Sequence, residues 1–279
     1  YISAPDQAMF DITGDIEIVA YCAMDDWTPS EVKNIVSKFE TATNQRSYRL
    51  TVDAGGFMML LISANGIAGI PATSTAAIPG INGQGLWLRA TLDVDDGAGS
   101  RVHNYYYSRD PSSTYVGEVS WTRLGATVTS AGATSIFPGT AKLEIGSINS
   151  GAGGVLAGKV HQAYVYNFLT GGLAAVFDPS ASASLGATSF EGLLGETYTV
   201  NGTASLAAES RGIVLSTAAS AFNDAYVGMA LILTGGTGAG QDHQRIVAYS
   251  GVRRLATLSG DWVTTPDSTT QYKIVNRGA

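Results

Sequence analysis

The sequence predicts an all-β protein: a β-sandwich or jelly roll followed by a small β domain. Short stretches of alternating apolar and polar residues recur along the chain, with turn-forming residues between them about every eight to twelve residues. No amphipathic pattern longer than about two helical turns occurs before residue 170. Strands that alternate in this way place one face in a core and leave the other in water, which favours stacked sheets.

The stretch 141–168 shows the pattern most clearly. Leu143 and Ile145 alternate with polar or small neighbours, and further on Val160, Ala163 and Val165 lie among polar or aromatic neighbours. The residues between them, 147–154, are almost all small or turn-forming, which predicts a glycine-rich loop. The sequence therefore predicts a strand, a turn and a second strand at the centre of the first domain.

The other elements of the first domain follow from the same alternation and from the turns between them. Residues 2–10 are predicted as an edge element, and 67–85 as a loop with one short strand. Residues 30–37 are compatible with one helical turn, with Ser30 as its N-cap. The remaining strands are predicted at 15–24, 34–39, 47–52, 57–63, 86–94, 101–108, 119–124, 127–129 and 198–206. In a sandwich, the late strand 198–206 is expected to return beside the first one.

Composition shifts near residues 207–211, which places a domain boundary there: 1–208 for the sandwich and 209–279 for a small β domain. Its strands are predicted at 213–216, 226–233, 244–249, 254–258 and 271–275. About 65 residues give only a marginal core. The second domain is therefore expected to lean on the first domain or on neighbouring copies.

Composition limits the possible partners. The 279 residues carry a net charge of −7, and no run of Lys or Arg interrupts a chain with only 14% charged residues, so nucleic acid is not an expected partner. No apolar run approaches the roughly 18 to 20 residues of a membrane span. Cys22 is the only cysteine, so no intrachain disulfide can form. It is predicted to be a small buried hydrophobe.

Six segments, in this order, resemble the concanavalin-like, laminin-G-like jelly rolls of tailed-bacteriophage virion proteins, over roughly residues 2–206. They are D-I-T-G-D-I-E-I (11–18), R-S-Y-R-L (46–50), W-L-R-A-T-L-D-V-D-D-G (87–97), L-E-I-G-S (143–147), L-A-G-K-V (156–160) and Y-T-V-N-G-T-A-S-L (198–206). The tail is similar to a short β module of phage structural proteins, through G-T-G-A-G-Q (236–241), R-I-V-A-Y (245–249) and T-P-D-S-T-T-Q-Y (265–272).

The resemblance implies a concanavalin-like jelly roll and a non-enzymatic virion protein: a head decoration protein, a fibre or a tail accessory protein. Its partners would be other virion proteins and sister copies, and a homotrimer is the expected assembly. It would attach to the particle or to a host surface. A carbohydrate-binding, receptor-recognition module is the alternative, and a glycoside hydrolase of the same fold is the third possibility.

Catalytic residues are not predicted. Concanavalin-like glucanases that resemble laminarinases carry E-x-D-x-x-E on one strand face, and this triplet is missing. Glu17 has no second glutamate on its face, and G-x-S-x-G is absent. The histidines, at 103, 161 and 243, lack metal-ligand spacing. The glycine-rich stretch 235–240 leads into a strand without a following helix, so it predicts a hairpin loop rather than a phosphate loop.

Aromatic residues are the candidates for contact with a glycan, because the apolar face of a pyranose stacks on exposed Tyr or Trp. The alternation over 101–108 puts His103, Tyr105 and Tyr107 on one face, and Tyr115 could join them on an open surface. Trp121 is a further candidate. Packing within the sheet is the alternative for all five residues.

Calcium is the one cofactor that the sequence makes possible. Asp93, Asp95 and Asp96 end a strong strand, and hard oxygen ligands in such a loop can bind Ca²⁺. Some laminin-G-like domains bind calcium at the rim of the sandwich. The alternative is a solvated acidic turn.

Overall fold

A computed structural model describes two compact units of the chain. It describes residues 1–110, 112, 114–168, 172–179, 186–206, 212–241, 244–252, 254–258, 262, 264 and 266–276. The first unit comprises Tyr1–Asp110 and Ser120–Ser205, and the second comprises Pro111–Val119 and Leu206–Ala279.

Fifteen strands belong to the first unit. In chain order they are β1 (Ile2–Ala4), β2 (Ile16–Met24), β3 (Lys33–Glu40), β4 (Gln45–Val52), β5 (Phe57–Ile62), β6 (Ile70–Ala77), β7 (Gly85–Asp93), β8 (Ser100–Ser108), β9 (Thr122–Arg123), β10 (Val128–Ala131), β11 (Leu143–Ile145), β12 (Gly158–Asn167), β13 (Gly172–Phe177), β14 (Ser189–Glu191) and β15 (Thr197–Val200). A 3-10 turn, Ala8–Phe10, follows β1.

These strands form two antiparallel sheets. The eight-stranded sheet has the order β14-β15-β1-β11-β3-β4-β5-β6, and the seven-stranded sheet has the order β10-β8-β7-β2-β12-β13, with β9 paired to β8. The prediction of an all-β, jelly-roll-type β-sandwich is confirmed. In the described chain, no helix has the length and apolar character that crossing a membrane requires.

The core of the first unit follows the alternation in the sequence. In β2, Ile16, Ile18, Ala20 and Cys22 lie opposite Leu92, Ala90, Leu88 and Leu86 of β7, and all eight are buried. Cys22 is a buried free thiol, as predicted, and desolvation raises its pKa to about 12.

The start of the chain differs from the prediction. Residues 2–10 are not an edge element, because β1 is hydrogen-bonded between β11 on one side and β15 on the other. The return of the late strand to the first is confirmed by this pairing of β15 with β1. The helical turn at 30–37 is wrong, because β3 already begins at Lys33.

Strands β13 and β14 were not predicted, and β6 is longer than the short strand expected within 67–85. β6 forms the edge of the eight-stranded sheet and contains Pro71. Edge strands tolerate proline because one row of their backbone amides needs no partner in the sheet.

The second unit holds a five-stranded antiparallel sheet of order β16-β19-β18-β17-β20. Its strands are β16 (Gly212–Val214), β17 (Ala230–Gly235), β18 (Gln244–Ser250), β19 (Leu255–Leu258) and β20 (Gln271–Val275). Its buried cluster includes Ile213, Leu231, Leu233, Ile246 and Leu258. The antiparallel pairing of β17 with β18 confirms the hairpin predicted at 235–240. His243 lies outside the described residues.

Candidate functional site

The aromatic residues predicted for β8 lie mainly in the interior. His103, Tyr105 and Tyr107 share one face, as predicted, but they pair with Leu92, Ala90 and Leu88, and that face is the core side of the sheet. His103 is 0% exposed and Tyr105 is 1% exposed, while Tyr107 is half-buried. The open surface predicted for His103 and Tyr105 is therefore wrong.

His103 is buried without a hydrogen-bond partner at either ring nitrogen. Desolvation, together with the nearby positive charge of Arg101, lowers its pKa to about 4. The imidazole is therefore neutral at pH 7. Burying the neutral ring costs less free energy than burying a charged ring without an anionic partner.

The two other predicted aromatics belong to different units. Tyr115 is 42% exposed and directly precedes a short 3-10 turn, Val116–Glu118, in the second unit. Trp121 is half-buried and directly precedes β9 in the first unit. Glycan contact by these two residues stays a prediction. Of the two, Trp121 lies against Arg89 on the outer face of the seven-stranded sheet.

The face of the seven-stranded sheet that points away from the core carries a cluster of charged, polar and aromatic side chains. In the strand register, Arg89 of β7 lies opposite Tyr106 of β8, which in turn lies opposite Arg123 of β9. One step along, Asn104 lies opposite Thr91, and Thr91 lies opposite Glu17 of β2. We call the set of Glu17, Arg89, Asn104, Tyr106, Trp121, Arg123 and Thr127 the Arg89 patch.

Arg89 occupies the middle of this patch. Its Nη2 donates a hydrogen bond to Glu17 Oε2 at 2.6 Å, and Glu17 is buried. Its guanidinium carbon lies 5.2 Å from the ring centroid of Tyr106 and 5.7 Å from the ring of Trp121. Both distances fit cation–π contacts, so two aromatic rings and one carboxylate fix this guanidinium.

Arg123 approaches the same tyrosine from the neighbouring strand. Its guanidinium carbon is 6.0 Å from the Tyr106 centroid. Its Nη2 donates to Asn104 Oδ1 at 2.5 Å and to Thr127 Oγ1, and Thr127 Oγ1 also donates to Asn104 Oδ1 at 3.0 Å. A polar triad thus holds an exposed arginine in one orientation.

The acidic turn after β7 satisfies its carboxylates with its own backbone. Asp93 Oδ1 accepts a hydrogen bond from the amide of Asp95, and Asp95 Oδ1 accepts one from Gly97, at 3.0 and 3.1 Å. Asp96 Oδ1 accepts from Ala98 and Ser100, and these bonds lower the pKa of Asp96. Among the residues that the structure describes, no three His, Cys, Asp or Glu side chains converge into a metal site. Calcium at this turn stays a prediction.

A small cleft lies beside the end of β2 in the first unit. It has a volume of about 190 Å³ and is lined by Met24, Asp26, Pro29, Ser30, Lys33 and Ala157. This volume is below the several hundred Å³ that is usual for a ligand pocket, so the Arg89 patch is the stronger candidate.

Sequence reasoning missed most of the Arg89 patch, although a signal for it was present. Arg89 and Thr91 alternate with apolar residues in β7, and this alternation marks the half-buried outer side of that strand. Once the hairpin register between β7 and β8 is known, Tyr106 and Asn104 follow as their neighbours. Without the register, the apolar-looking tyrosines of β8 gave no indication of which face is outside.

Comparisons with known proteins give similar folds only. No protein-family model matches the chain, and no curated protein matches it. Among solved structures, it is similar to the CBM40 of the Ruminococcus gnavus IT-sialidase, bound to alpha2,6 sialyllactose, with TM-score 0.41, 14% identity and coverage of 57% of this chain and 80% of that one. The same CBM40 bound to alpha2,3 sialyllactose gives TM-score 0.42, 13% identity and coverage of 59% and 84%.

A native heptameric SAP-like pentraxin from Limulus polyphemus is a further similar structure. It gives TM-score 0.35 and 15% identity over 60% of this chain and 75% of that one. These neighbours are β-sandwich proteins, two of them carbohydrate-binding modules. Identities and scores this low do not bear on what this chain binds.

Proposed function

We propose that the first unit is a non-catalytic saccharide-binding module and that the Arg89 patch is its binding surface. The observation that carries the proposal is the geometry around Arg89. A half-buried indole and a tyrosine ring lie beside guanidinium, amide and hydroxyl groups on one face of a rigid sheet.

The chemistry of the patch suits a sugar ring. The C–H face of a pyranose packs on an aromatic side chain, and its hydroxyls need donors and acceptors at the edge of that ring. Trp121 supplies the aromatic surface, and within the described chain the guanidinium of Arg89 contacts its ring. Asn104, Thr127 and Arg123 supply the polar edge.

The groups of the patch are already ordered by their contacts with one another. Arg89 is fixed by Glu17, and Arg123 is fixed by Asn104 and Thr127. A ligand that binds them does not have to restrict long arginine side chains itself, which reduces the entropic cost of binding.

A glycan array with the full chain, followed by calorimetric titration of the saccharides that bind, tests the proposal. We expect Trp121→Ala to weaken binding at least about tenfold, since one stacked aromatic ring contributes on the order of 1.4 kcal/mol or more. Phe222→Ala is the matched control, because Phe222 is an aromatic residue 81% exposed in the second unit. The Phe222→Ala variant should bind the same saccharides with the affinity of the parent chain. An array without any bound saccharide, or equal losses in the two variants, would contradict the proposal.

A role in a phage virion is the second candidate function. It is supported by the ordered resemblance of six segments to phage jelly rolls and by the resemblance of the tail to a phage β module. Saccharide binding and attachment to a particle are compatible, because a particle protein that binds a host glycan does both. Cryo-electron microscopy of purified particles tests it: density at regular capsid sites or at the tail supports the role, and absence from particles rejects it.

The proposed virion role includes assembly with sister copies as a homotrimer. Multi-angle light scattering of the full chain tests this at micromolar concentration. A mass near three times 28.9 kDa supports the trimer, and a stable monomer contradicts it.

A further inference from the structure

We infer that the Arg89 patch selects acidic saccharides, those in which the sugar carries a carboxylate or a sulfate. The inference rests on the proposed saccharide-binding function and names the class of ligand. It follows from the charge of the patch and from arginine N–H groups that the protein itself leaves without acceptors.

Two guanidinium groups share one aromatic neighbour. Arg89 and Arg123 both lie within 6.0 Å of the Tyr106 centroid. Glu17 pairs with Arg89, but among the residues that the structure describes no carboxylate forms an ion pair with Arg123. The patch is therefore locally positive on a chain whose net charge is −7.

Several donors of the two arginines are unused. Among the described residues, Arg89 Nε is buried without a hydrogen-bond partner, and this side chain donates one hydrogen bond, from Nη2 to Glu17. Arg123 uses Nη2 for both of its bonds, so in the described structure its Nε and Nη1 donate to no protein acceptor. An anionic oxygen is the strongest acceptor for the free guanidinium donors of the exposed Arg123.

The orientation of Arg123 leaves single N–H donors for an anionic ligand. Asn104 and Thr127 occupy Nη2, which belongs to both forked edges of the guanidinium, so the two-oxygen pairing is taken up within the protein. The N–H groups of Nη1 stay available to one oxygen of a carboxylate or sulfate. Stacking of the sugar ring and pairing of its anionic group would then occur on the same surface.

The test is a set of titrations of the full chain, followed by NMR, with methyl glucuronide, methyl glucoside 6-sulfate and uncharged methyl glucoside. We expect at least one of the two acidic sugars to bind about tenfold or more tightly than the neutral sugar. The preference should shrink as sodium chloride rises from about 0.05 to 0.5 M, because exposed charges are screened over a few ångströms at high salt.

Variants separate charge from folding. Arg123→Gln should abolish the ratio by which the acidic sugar binds more tightly than methyl glucoside, whereas Arg123→Lys should restore part of that ratio. Arg101→Gln is the matched control. Arg101 is an arginine of β8 outside the Arg89 patch, and its guanidinium donates to the carbonyls of Ala131 and Gly132. The Arg101→Gln variant should keep the full preference.

The outcomes separate this inference from the function on which it rests. Tighter binding of the glucuronide identifies a carboxylate as the ligand group, and tighter binding of the sulfated sugar identifies a sulfate. Equal affinity for acidic and neutral sugars overturns the inference and leaves saccharide binding intact. Binding of inorganic sulfate as tight as that of the acidic sugars overturns it too. Failure of every sugar rejects both.

Discussion

The hydroxyl of Tyr105 donates a hydrogen bond to the carbonyl of Ala72 at 2.6 Å and so joins the seven-stranded sheet to the eight-stranded one through the core. The same oxygen lies 3.4 Å from the amide nitrogen of Leu60, which donates to it. Burial raises the pKa of Tyr105. We therefore expect Tyr105→Phe to lower the free energy of unfolding by about 1–3 kcal/mol, because a buried carbonyl loses its donor.

Urea unfolding of the full chain, followed by intrinsic fluorescence, measures this loss of stability. Tyr107→Phe is the control, since Tyr107 shares the face of Tyr105 but is half-buried and makes no hydrogen bond through its hydroxyl in the described structure. It should unfold like the parent chain. Similar losses in the two variants would show that the bond to Ala72 contributes nothing specific.

Tyr105 also shows which features of β8 can be predicted from the sequence and which cannot. Alternation correctly put His103, Tyr105 and Tyr107 on one face, because the period of a strand is fixed by its geometry. It could not say that the face is internal, since tyrosine and histidine each have an apolar body and a polar tip that suit either side. The side is decided by pairing with the apolar residues of β7, which is a contact between strands and not a property of β8.

The same reason explains the strands that were missed. β13 and β14 are short, and each forms against a neighbour, β12 or β15, rather than from a strong pattern of its own. The Arg89 patch likewise draws on four strands and the segment beside β9. Single-strand patterns could indicate Arg89 as outward-facing, but they could not assemble its neighbours.

His103 predicts a specific dependence of stability on pH. Its pKa is lowered from about 6.5 in an unfolded chain to about 4 in the folded protein. Above pH 6.5 the ring is neutral in both states and no stability is lost. As the pH falls from 6.5 to 4, the unfolded chain binds a proton that the folded one does not, so about 3 kcal/mol of stability is lost.

Urea unfolding at several pH values, with His103→Leu beside the parent chain, isolates this contribution. The variant should lose less stability than the parent between pH 6.5 and 4, because its core residue cannot bind a proton. The remaining slope of the variant belongs to the other titrating groups. Parallel curves for the two proteins would refute the assignment to His103.

Lys38 holds the start of the chain to the sandwich. Its side chain is fully buried, and Nζ donates to Asp6 Oδ1 at 2.5 Å, to the carbonyl of Ala141 at 3.1 Å and to the carbonyl of Gly139. Asp11 Oδ1 lies 3.3 Å away. Lys38→Met should cost about 3–5 kcal/mol, because it leaves partly buried carboxylates and carbonyls without their cation.

Lys33→Met on the same strand is the control for Lys38. Lys33 pairs with Glu31 at 2.8 Å, but Glu31 is exposed, so solvent replaces the lost contact. We expect its thermal unfolding to match that of the parent chain, whereas that of Lys38→Met moves to clearly lower temperature. A Lys38→Met protein as stable as Lys33→Met would show that the buried ion pair is dispensable.

Glu144 orders the glycine-rich loop that follows β11. Its buried carboxylate accepts hydrogen bonds from Ser147 Oγ at 2.5 Å, from the amide of Ser150 at 2.7 Å and from the amide of Gly151 at 3.1 Å. In Glu144→Gln an amide NH₂ replaces one accepting oxygen and faces these donors. We expect a loss of about 1–3 kcal/mol and faster hydrogen exchange at Ser150 and Gly151.

Glu40→Gln provides the comparison for Glu144. Glu40 Oε1 accepts one exposed hydrogen bond, from the amide of Ala42 at 3.0 Å. Water can replace this acceptor, so exchange in the loop at 147–154 should stay as in the parent chain. Unchanged exchange at Ser150 and Gly151 in Glu144→Gln would mean that the loop is ordered without the carboxylate.

Among the described glycines of the second unit, Gly236 has the closest contact at its Cβ position. Its φ is +71°, and a Cβ there would lie 1.9 Å from the carbonyl oxygen of Thr269. A hydrogen bond of 2.7 Å from Thr237 Oγ1 to Asp267 Oδ2 joins the two loops at this point. Hydrogen bonds from Thr269 and from Thr237 lower the pKa of Asp267. An alanine must therefore move backbone as well as adopt a left-handed conformation.

Gly228→Ala separates these two effects, because Gly228 has φ +87° and nothing within 4 Å of its Cβ position. It should cost only the backbone strain of about 1–2 kcal/mol. Gly236→Ala should cost clearly more, and hydrogen exchange should accelerate at Thr237 and Thr269 in this variant alone. Equal losses of stability in the two variants would show that the loops can separate without cost, and that the bond between Thr237 and Asp267 does not hold them together.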